Sequence, residues 1–222
     1  MTVTLRPHQQ RGIDRMDEYD KGQLIFPTGA GKTLTAIMDA KRVFETATSH
    51  KTIVIVAPRI LLAEQLCSEF LEVIQRNDVH VMHVHSGETS FFSTTKVQKI
   101  QMHDSICKTA GEHQLIFTTY NSLGRIVDAE VEVDTIYFDE AHNSVKRNFF
   151  PATEHYSQEA NRCYFFTATR KTSVTIAKPG MNDREVYGDV ICRVSAPELV
   201  EGGYILPPKV KVIEMDKVDR KS

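Results

Sequence analysis

Short apolar runs recur along the chain and are separated by longer polar or amphipathic stretches. The runs are QLIFP (23–27), TIVIVAP (52–58), VHVMHV (79–84), QLIFTTY (114–120), VDTIYFDE (133–140) and RCYFFTAT (162–169). Most are nearly continuous in valine, isoleucine, phenylalanine and tyrosine, which is typical of strands covered on both faces. The pattern therefore predicts a mainly parallel sheet buried under helices.

The stretches between the runs are long enough for crossover helices. Residues 32–47 and 59–76 both carry apolar side chains at helical spacing. These are Leu34, Ile37, Met38 and Phe44 in the first stretch, and Leu62, Leu66, Phe70 and Val73 in the second. Strands that alternate with helices predict an α/β fold, a doubly wound sheet with helices on both faces.

Two other regions have weaker patterns. Residues 94–111 are predicted to be a helix capped by Thr94 or Thr95. The composition changes after residue 170, and KPGMND, EGGYILPP and a charged tail follow. We expect one domain over 1–202 and an extended exit segment or linker over 203–222.

Composition places the chain among ordinary soluble proteins. It has 222 residues, of which 41% are apolar and 25% charged, enough for one sizeable core or one domain with a short extension. No apolar run reaches the ~18 residues of a membrane span. The first ten residues lack the apolar core of a secretory signal. We therefore expect an intracellular protein with no membrane partner.

Cysteine spacing and net charge restrict the possibilities further. The four cysteines, Cys67, Cys107, Cys163 and Cys192, include no C-x-x-C pair, which favours free thiols in a reducing compartment such as cytoplasm or nucleus. The net charge is −2, so the chain has no overall basic field. Any binding to nucleic acid must come from local contacts.

The segment from Thr28 to Thr33 has the residues of a phosphate-binding loop. Thr28, Gly29, Ala30, Gly31, Lys32 and Thr33 follow an apolar strand and open a helix. Backbone N–H groups and Lys32 can bind phosphates, and the Thr33 hydroxyl can ligate Mg²⁺. Phe26 stands where the general pattern has its first glycine. The alternative is a glycine-rich turn before a helix.

A pair of acids lies at the end of another apolar run. Asp139 and Glu140 follow the strand TIYF, so they are expected at the carboxyl edge of the sheet, where the phosphate-binding loop also lies. Asp139 can hold Mg²⁺ and Glu140 can take a proton from an attacking water. The alternative is a solvated acidic turn.

The sequence VHVMHVH places His83 and His85 on one strand face. This spacing occurs in metal sites. No acidic residue or cysteine is near them in sequence, which favours a strand with ordinary polar alternation.

PTGAGKT, DEAH and TAT, in this order, resemble motifs I, II and III of superfamily two helicases and translocases. The resemblance implies a RecA-like P-loop NTPase domain that uses ATP and Mg²⁺. In that family the position that Phe26 occupies is not held to glycine. It also implies that Thr167 and Thr169 couple the nucleotide site to nucleic acid, with His142 as their bridging partner.

Weaker elements extend the resemblance. LRPHQQ, within residues 1–20, is similar to the adenine-reading motif of the branch with restriction-enzyme motors and repair translocases. By that match Gln9 binds the adenine edge and Arg6 packs nearby. APRILLAEQ and FTTYNSL resemble motifs Ia and Ib, which implies contacts with DNA or RNA phosphates from Arg59, Thr118 and Thr119. Arg170 and Lys171 either add to these contacts or are a solvated charged pair.

Motors of this superfamily use two RecA-like domains, with ATP in the cleft between them. Only 222 − 169 = 53 residues follow Thr169, too few for another domain of typical size. We therefore expect the first motor domain without its second one, able to bind ATP or ADP and to hydrolyse ATP slowly. The alternatives are a nucleotide- or nucleic-acid-binding scaffold without catalysis, and a small-molecule kinase, which DEAH and TAT disfavour.

Overall fold

Eight strands form one sheet in the computed structural model, which describes residues 3–175 and 177–207. The strands are β1 (Lys21–Ile25), β2 (Thr52–Ala57), β3 (Val79–Val84), β4 (Phe92–Ser93), β5 (His113–Thr119), β6 (Thr135–Phe138), β7 (Arg162–Thr167) and β8 (Val190–Arg193). Their order is β4-β3-β5-β2-β6-β7-β1-β8, and every pairing is parallel. The predicted α/β parallel sheet is confirmed.

Helices cover both faces of the sheet. They are α1 (Pro7–Glu18), α2 (Lys32–Thr46), α3 (Ile60–Val73), α4 (Val97–Ala110), α5 (Leu123–Asp128), α6 (Phe150–Glu159), α7 (Arg184–Tyr187) and α8 (Ala196–Glu201), with a short 3₁₀ helix at Ala141–Asn143. Helices α2 to α7 lie between strands along the chain. All six apolar runs contain strands. Sequence patterns missed β4, which has only two residues, and β8, which lies in the region of mixed composition after residue 170.

Two hydrophobic cores lie on opposite faces of the sheet. In β2, Ile53 and Ile55 belong to the core under α1, α2 and α3, whereas Val54 and Val56 belong to the core under α4, α5, α6 and α7. Both faces of the central strands are therefore apolar, since neither face meets water. This explains the near-continuous apolar runs of the sequence.

Strand order brings the two predicted chemical elements together. β7 lies between β1 and β6, with Thr167 paired to Ile25 and Phe165 paired to Phe138. The segments after β1, β6 and β7 therefore emerge side by side at the carboxyl edge of the sheet, where ligands of open α/β sheets bind.

A buried ion network lies at the opposite end of the sheet. Asp39 of α2 is fully buried and accepts hydrogen bonds of 2.9 and 2.8 Å from Arg162 and one of 3.0 Å from Arg42. The Tyr137 hydroxyl also donates to it. A buried carboxylate requires such partners, and these link α2 to β6 and β7.

One local prediction is wrong. The N-cap of α4 is Lys96 and not a threonine, although the Thr94 hydroxyl accepts a 3.1 Å hydrogen bond from the Lys96 N–H. The predicted exit segment over 203–222 stays a prediction, and its first residues, 203–205, form a turn after α8. Tyr204 N–H donates to the Leu199 carbonyl at 2.9 Å, and Ile205 packs on the core under α1. The rest of the predicted exit segment, 208–222, lies outside the described residues.

Among the described residues, no helix is long and apolar enough to cross a membrane. The four cysteines are all buried and free.

Candidate nucleotide-binding site

The predicted phosphate-binding loop connects β1 to α2. Gly29 and Gly31 have φ angles of 83° and 81°, a left-handed conformation that glycine adopts without Cβ strain. Gly31 is the N-cap of α2. The first N–H groups of a helix have no partner within it, so those of α2 are free to bind an anion at the loop.

Phe26 belongs to the core and not to the loop. Its side chain is fully buried, and its ring packs edge-on against Phe166, with centroids 6.3 Å apart. Its N–H donates to the Thr167 carbonyl at 3.0 Å, which continues the pairing of β1 with β7. The residue that departs from the general glycine pattern therefore leaves the loop conformation unaffected.

Side chains of the α1 region hold the loop through three consecutive carbonyls. Arg6 Nη1 donates to the Gly29 carbonyl at 3.0 Å, and Gln9 Nε2 donates to that of Gly31 at 3.2 Å. Between them, His8 Nε2 lies 2.7 Å from the Ala30 carbonyl. Sequence reasoning did not single out His8, although it stands between two predicted residues in RPHQ.

Gln9 keeps capacity for a further ligand. Its Oε1 accepts a 2.8 Å hydrogen bond from the Arg6 N–H. A glutamine amide has two N–H donors and two acceptor lone pairs, so one of each remains after the contacts with Arg6 and Gly31. Binding of adenine by Gln9 stays a prediction, and the structure adds a second role for this side chain in holding the loop.

Lys32 of the loop reaches the acidic segment. Its Nζ lies 2.5 Å from Glu140 Oε1, and the two side chains are 14% and 32% exposed. Glu140 has a φ of 46°, which is uncommon for a residue other than glycine, and its carbonyl accepts a 2.9 Å hydrogen bond from Asn143 Nδ2. The turn thus directs the Glu140 carboxylate towards the loop.

Asp139 lies beside this ion pair. The pKa of its carboxyl is raised to about 6, because burial and the neighbouring Glu140 together outweigh the lowering effect of Lys32. Its carbonyl accepts a 2.7 Å hydrogen bond from the Tyr120 hydroxyl. Asp139 and Thr33 line the same small cavity, and a carboxylate with a hydroxyl fits the oxygen ligands that Mg²⁺ prefers.

Next to the loop, an open cleft of about 560 Å³ offers room for a nucleotide. Its walls combine the residues predicted to bind phosphate, adenine and the attacking water. The complete lining is Thr4, Arg6, Gln9, Pro27, Thr28, Gly29, Gly31, Lys32, Thr33, Leu34 and Glu140, of which Thr4, Pro27 and Leu34 were not predicted.

His142 connects the acidic segment to the end of β7. Its Nδ1 lies 3.0 Å from Thr167 Oγ1 and 3.5 Å from Glu140 Oε2. The Thr167 hydroxyl also lies 2.9 Å from the Thr169 carbonyl. The structure therefore brings together Glu140, His142, Thr167 and Thr169 as one polar chain.

The residues predicted to contact nucleic acid differ in exposure. Arg59 is exposed at the N-cap of α3. Thr118 is fully buried, and its hydroxyl donates to the Val84 carbonyl at 2.8 Å. This hydroxyl is therefore not accessible for the expected phosphate contact. Thr119 is buried as well. Arg170 donates to Gln23 at 2.8 Å inside the domain, whereas Lys171 is exposed.

His83 and His85 are both buried and not part of a polar strand face. His83 Nδ1 and His85 Nε2 lie 2.9 Å apart and share a hydrogen bond. The His83 ring stacks against Phe91 and Phe117. Burial lowers the pKa of His83 to about 4, and the neighbouring His85 adds to this effect.

Residues 2–172 match a family described as "Type III restriction enzyme, res subunit". Comparison with curated proteins finds no match.

Solved structures share the fold. The Type ISP restriction-modification enzyme LlaGI, in a structure with a DNA substrate mimic, has a TM-score of 0.77 and 23% identity over 91% of this chain and 21% of its own. LlaBIII, a DNA-bound enzyme of the same type, has a TM-score of 0.76 and 21% identity. The match covers 91% of this chain and 16% of LlaBIII. The Hef helicase domain of Pyrococcus furiosus has a TM-score of 0.62 and 19% identity. The match covers 89% of this chain and 39% of the Hef domain. The chain spans about a fifth of LlaGI and less of LlaBIII.

Proposed function

Because the chain belongs to the family of type III restriction enzyme res subunits, we propose that it is the ATP-binding first RecA-like domain of a motor that hydrolyses ATP on DNA or RNA. The observation that carries this proposal is the meeting of Lys32 with Glu140, from segments more than 100 residues apart, at 2.5 Å. Around this pair lie the loop N–H groups, Thr33 and Asp139.

Each group has a definite task in hydrolysis. The loop N–H groups and Lys32 hold the β- and γ-phosphates, and Thr33 and Asp139 hold Mg²⁺, which neutralises phosphate charge when bound. Glu140 takes a proton from the attacking water while the oxygen of that water bonds to the γ-phosphorus. The bond from that phosphorus to the ADP oxygen breaks, and phosphate leaves. DEAH-box chemistry with Mg²⁺ is part of this proposal.

The ion pair between Lys32 and Glu140 must open for this reaction. A γ-phosphate near Lys32 offers it more negative charge than one carboxylate does. Lys32 then leaves Glu140, whose carboxylate becomes free to accept the proton. Nucleotide binding and activation of the base are thereby linked.

Turnover by this domain alone is expected to be slow. An arginine finger contributes ~10³–10⁵ to turnover in enzymes of this kind. We propose that a second RecA-like domain supplies such a group across the cleft, and that closure of the two domains drives movement on nucleic acid.

Charge distribution supports a nucleic-acid contact at the carboxyl edge of the sheet. Six exposed cations that follow β2, β5, β6 and β7 form no salt bridge with any residue in the described ranges. They are Arg59, Arg125, Lys146, Arg147, Lys171 and Lys178. At the amino edge, by contrast, Lys51 is paired with Asp134 at 2.7 Å. Free cations in a chain of net charge −2 fit phosphate binding, and the DNA complexes of LlaGI and LlaBIII favour DNA.

The test is ADP and ATP titration together with steady-state ATPase assays, with and without DNA or RNA. We expect nucleotide binding that Lys32→Ala weakens by about tenfold or more, which is about 1.4 kcal/mol, and slow hydrolysis. Lys41→Ala, which removes a lysine from the exposed face of α2, is the control.

Unchanged affinity in Lys32→Ala would refute the role of the loop. Fast hydrolysis that nucleic acid stimulates in the monomeric chain would contradict the need for a second domain. Binding of nucleotide without hydrolysis under any condition would favour the scaffold alternative.

A further inference from the structure

We propose that Tyr204 is a positioning residue of the nucleotide site, and that it acts by holding the Arg6 guanidinium on the phosphate-binding loop. The inference rests on the proposed function, since it concerns the affinity of that site for a nucleoside phosphate. It assigns a role to the segment after α8, which lies outside the part of the chain that the family covers.

The Arg6 guanidinium lies between the Tyr204 ring and the loop. Its Cζ is 4.7 Å from the ring centroid, a distance at which a cation is attracted to an aromatic face. Its Nη1 donates a 3.0 Å hydrogen bond to the Gly29 carbonyl. Arginine has several rotatable bonds and therefore many rotamers. Because the ring and the loop both hold the guanidinium, Arg6 is kept out of the rotamers that would break its hydrogen bond to Gly29.

The Tyr204 ring is itself held from two sides. It packs edge-on against His8, with ring centroids 5.4 Å apart, and His8 in turn contacts the Ala30 carbonyl. On the other side, the ring lies against the end of α8. A Cβ at residue 202 would stand 2.5 Å from Tyr204 Cε2, so only glycine lets the ring approach here.

Ile205 reaches the same point of the loop. A Cβ added to Gly29 would lie 3.0 Å from Ile205 Cγ2. The segment 204–205 therefore supports Gly29 twice, through the Arg6 hydrogen bond and through direct packing. Because Gly29 has a left-handed backbone, its carbonyl direction depends on such neighbours and is not set by a regular element.

Salt bridges hold α8 in place for this task. Arg11 Nη2 of α1 contacts both carboxylate oxygens of Glu198, at 2.9 and 3.1 Å. It also lies 3.3 Å from the Arg193 carbonyl at the end of β8. The helix that precedes Tyr204 is thus attached to α1, whose first turn contacts the loop.

The experiment measures Mg²⁺-ADP affinity and melting temperature of the 222-residue chain by calorimetry. An exposed cation–π contact predicts that Tyr204→Ala weakens ADP binding about two- to fivefold. Tyr204→Phe should bind as the wild type does, because the ring remains. Tyr19→Ala, at the opposite end of α1 and also exposed, is the matched control and should not change affinity.

A double-mutant cycle tests the route through Arg6. If Tyr204 acts by holding Arg6, then adding Tyr204→Ala to Arg6→Ala causes no further loss. Gly202→Ala displaces the ring without removing it, and it should weaken ADP binding in the same direction. This variant keeps the test decisive if Tyr204→Ala lowers the melting temperature.

Wild-type affinity in both Tyr204→Ala and Gly202→Ala would overturn the inference, and so would multiplicative losses in the double mutant. Equal losses in Tyr204→Phe and Tyr204→Ala would overturn it too, because the hydroxyl and not the ring would then matter. These outcomes differ from failure of the proposed function, in which the wild type binds no ADP or Lys32→Ala binds it as well as the wild type.

Discussion

Lys32 Nζ and Glu140 Oε1 lie 2.5 Å apart, so the lysine proposed to bind phosphate and the proposed general base neutralise each other. Neither can perform its task in this arrangement. The pair also keeps two charges satisfied in a partly buried place, where an unpaired charge would be costly. Nucleotide must therefore displace one ionic contact to create another.

Glu140→Gln should leave ADP and ATP binding intact or strengthen it, because Lys32 no longer has to break an ion pair with Glu140 before it contacts the phosphates. Hydrolysis should fall below detection, since an amide cannot accept the proton. Calorimetric titration and phosphate release measure the two effects. Glu18→Gln, which removes a surface carboxylate paired with Arg15, should change neither, and hydrolysis at the wild-type rate in Glu140→Gln would show that another group is the base.

Thr167→Ala should remove the hydroxyl that lies 3.0 Å from His142 Nδ1. We expect ADP affinity to stay within about twofold, because the threonine touches no phosphate-binding group. Any stimulation of ATP hydrolysis by DNA should be lost, since the polar chain from Glu140 ends at His142. Thr167→Ser keeps the hydroxyl and serves as the control. Full stimulation in Thr167→Ala would contradict the coupling role.

Arg59→Ala should weaken DNA binding in a salt-dependent way. Each phosphate contact adds about 0.9 to the slope of log affinity against log salt for duplex DNA. If Arg59 makes one phosphate contact, its removal should make the slope less steep by about 0.9. Fluorescence anisotropy at several salt concentrations measures the slope. Arg15→Ala removes an exposed arginine on α1, and the same slope in the two variants would argue against a phosphate contact at Arg59.

The sequence predicts the sheet and most of the site because both depend on local patterns. Runs such as TIVIVAP are buried on both faces, and the residues of the loop and of DEAH follow strands directly. His8 and Tyr204 were not predicted, because their contacts with the loop come from tertiary packing between distant segments. Thr118 shows the converse. The resemblance of FTTYNSL to motif Ib implies a free hydroxyl at Thr118, but Thr118 lies within β5 and donates its hydroxyl to the Val84 carbonyl.

Asp39→Ala should lower the free energy of unfolding by about 3–5 kcal/mol, since it leaves Arg162 without its carboxylate in a mostly buried place. Urea denaturation measures the loss. Asp17→Ala breaks the other contact of Arg42 at the surface and should cost less than about 1 kcal/mol. Equal small losses in both variants would show that the network contributes little to stability.

His83 should make the domain sensitive to acid. Its folded pKa of about 4 lies below the ordinary value of 6.5, so the unfolded chain binds the proton more readily. The stability from the neutral ring is complete above pH 6.5 and is lost as the pH falls towards 4, by about 2 kcal/mol at pH 5.

Unfolding free energies at pH 7.5 and 5 should therefore differ less in His83→Phe than in the wild type. Burial also lowers the pKa of His85, which Glu64 raises in part, and of His113. The pH dependence is thus reduced and not abolished in the variant. An identical difference in both proteins would exclude His83 as a source of the acid sensitivity.

The position of β7 between β1 and β6 has a consequence for synthesis of the chain. The loop and DEAH are complete once residue 142 has left the ribosome, but β1 and β6 are not neighbours without the strand between them. Only when residues 162–167 have been made and inserted does the sheet bring Lys32 to Glu140. A nascent chain therefore gains the candidate nucleotide site late, after long-range pairing that is slow compared with local folding.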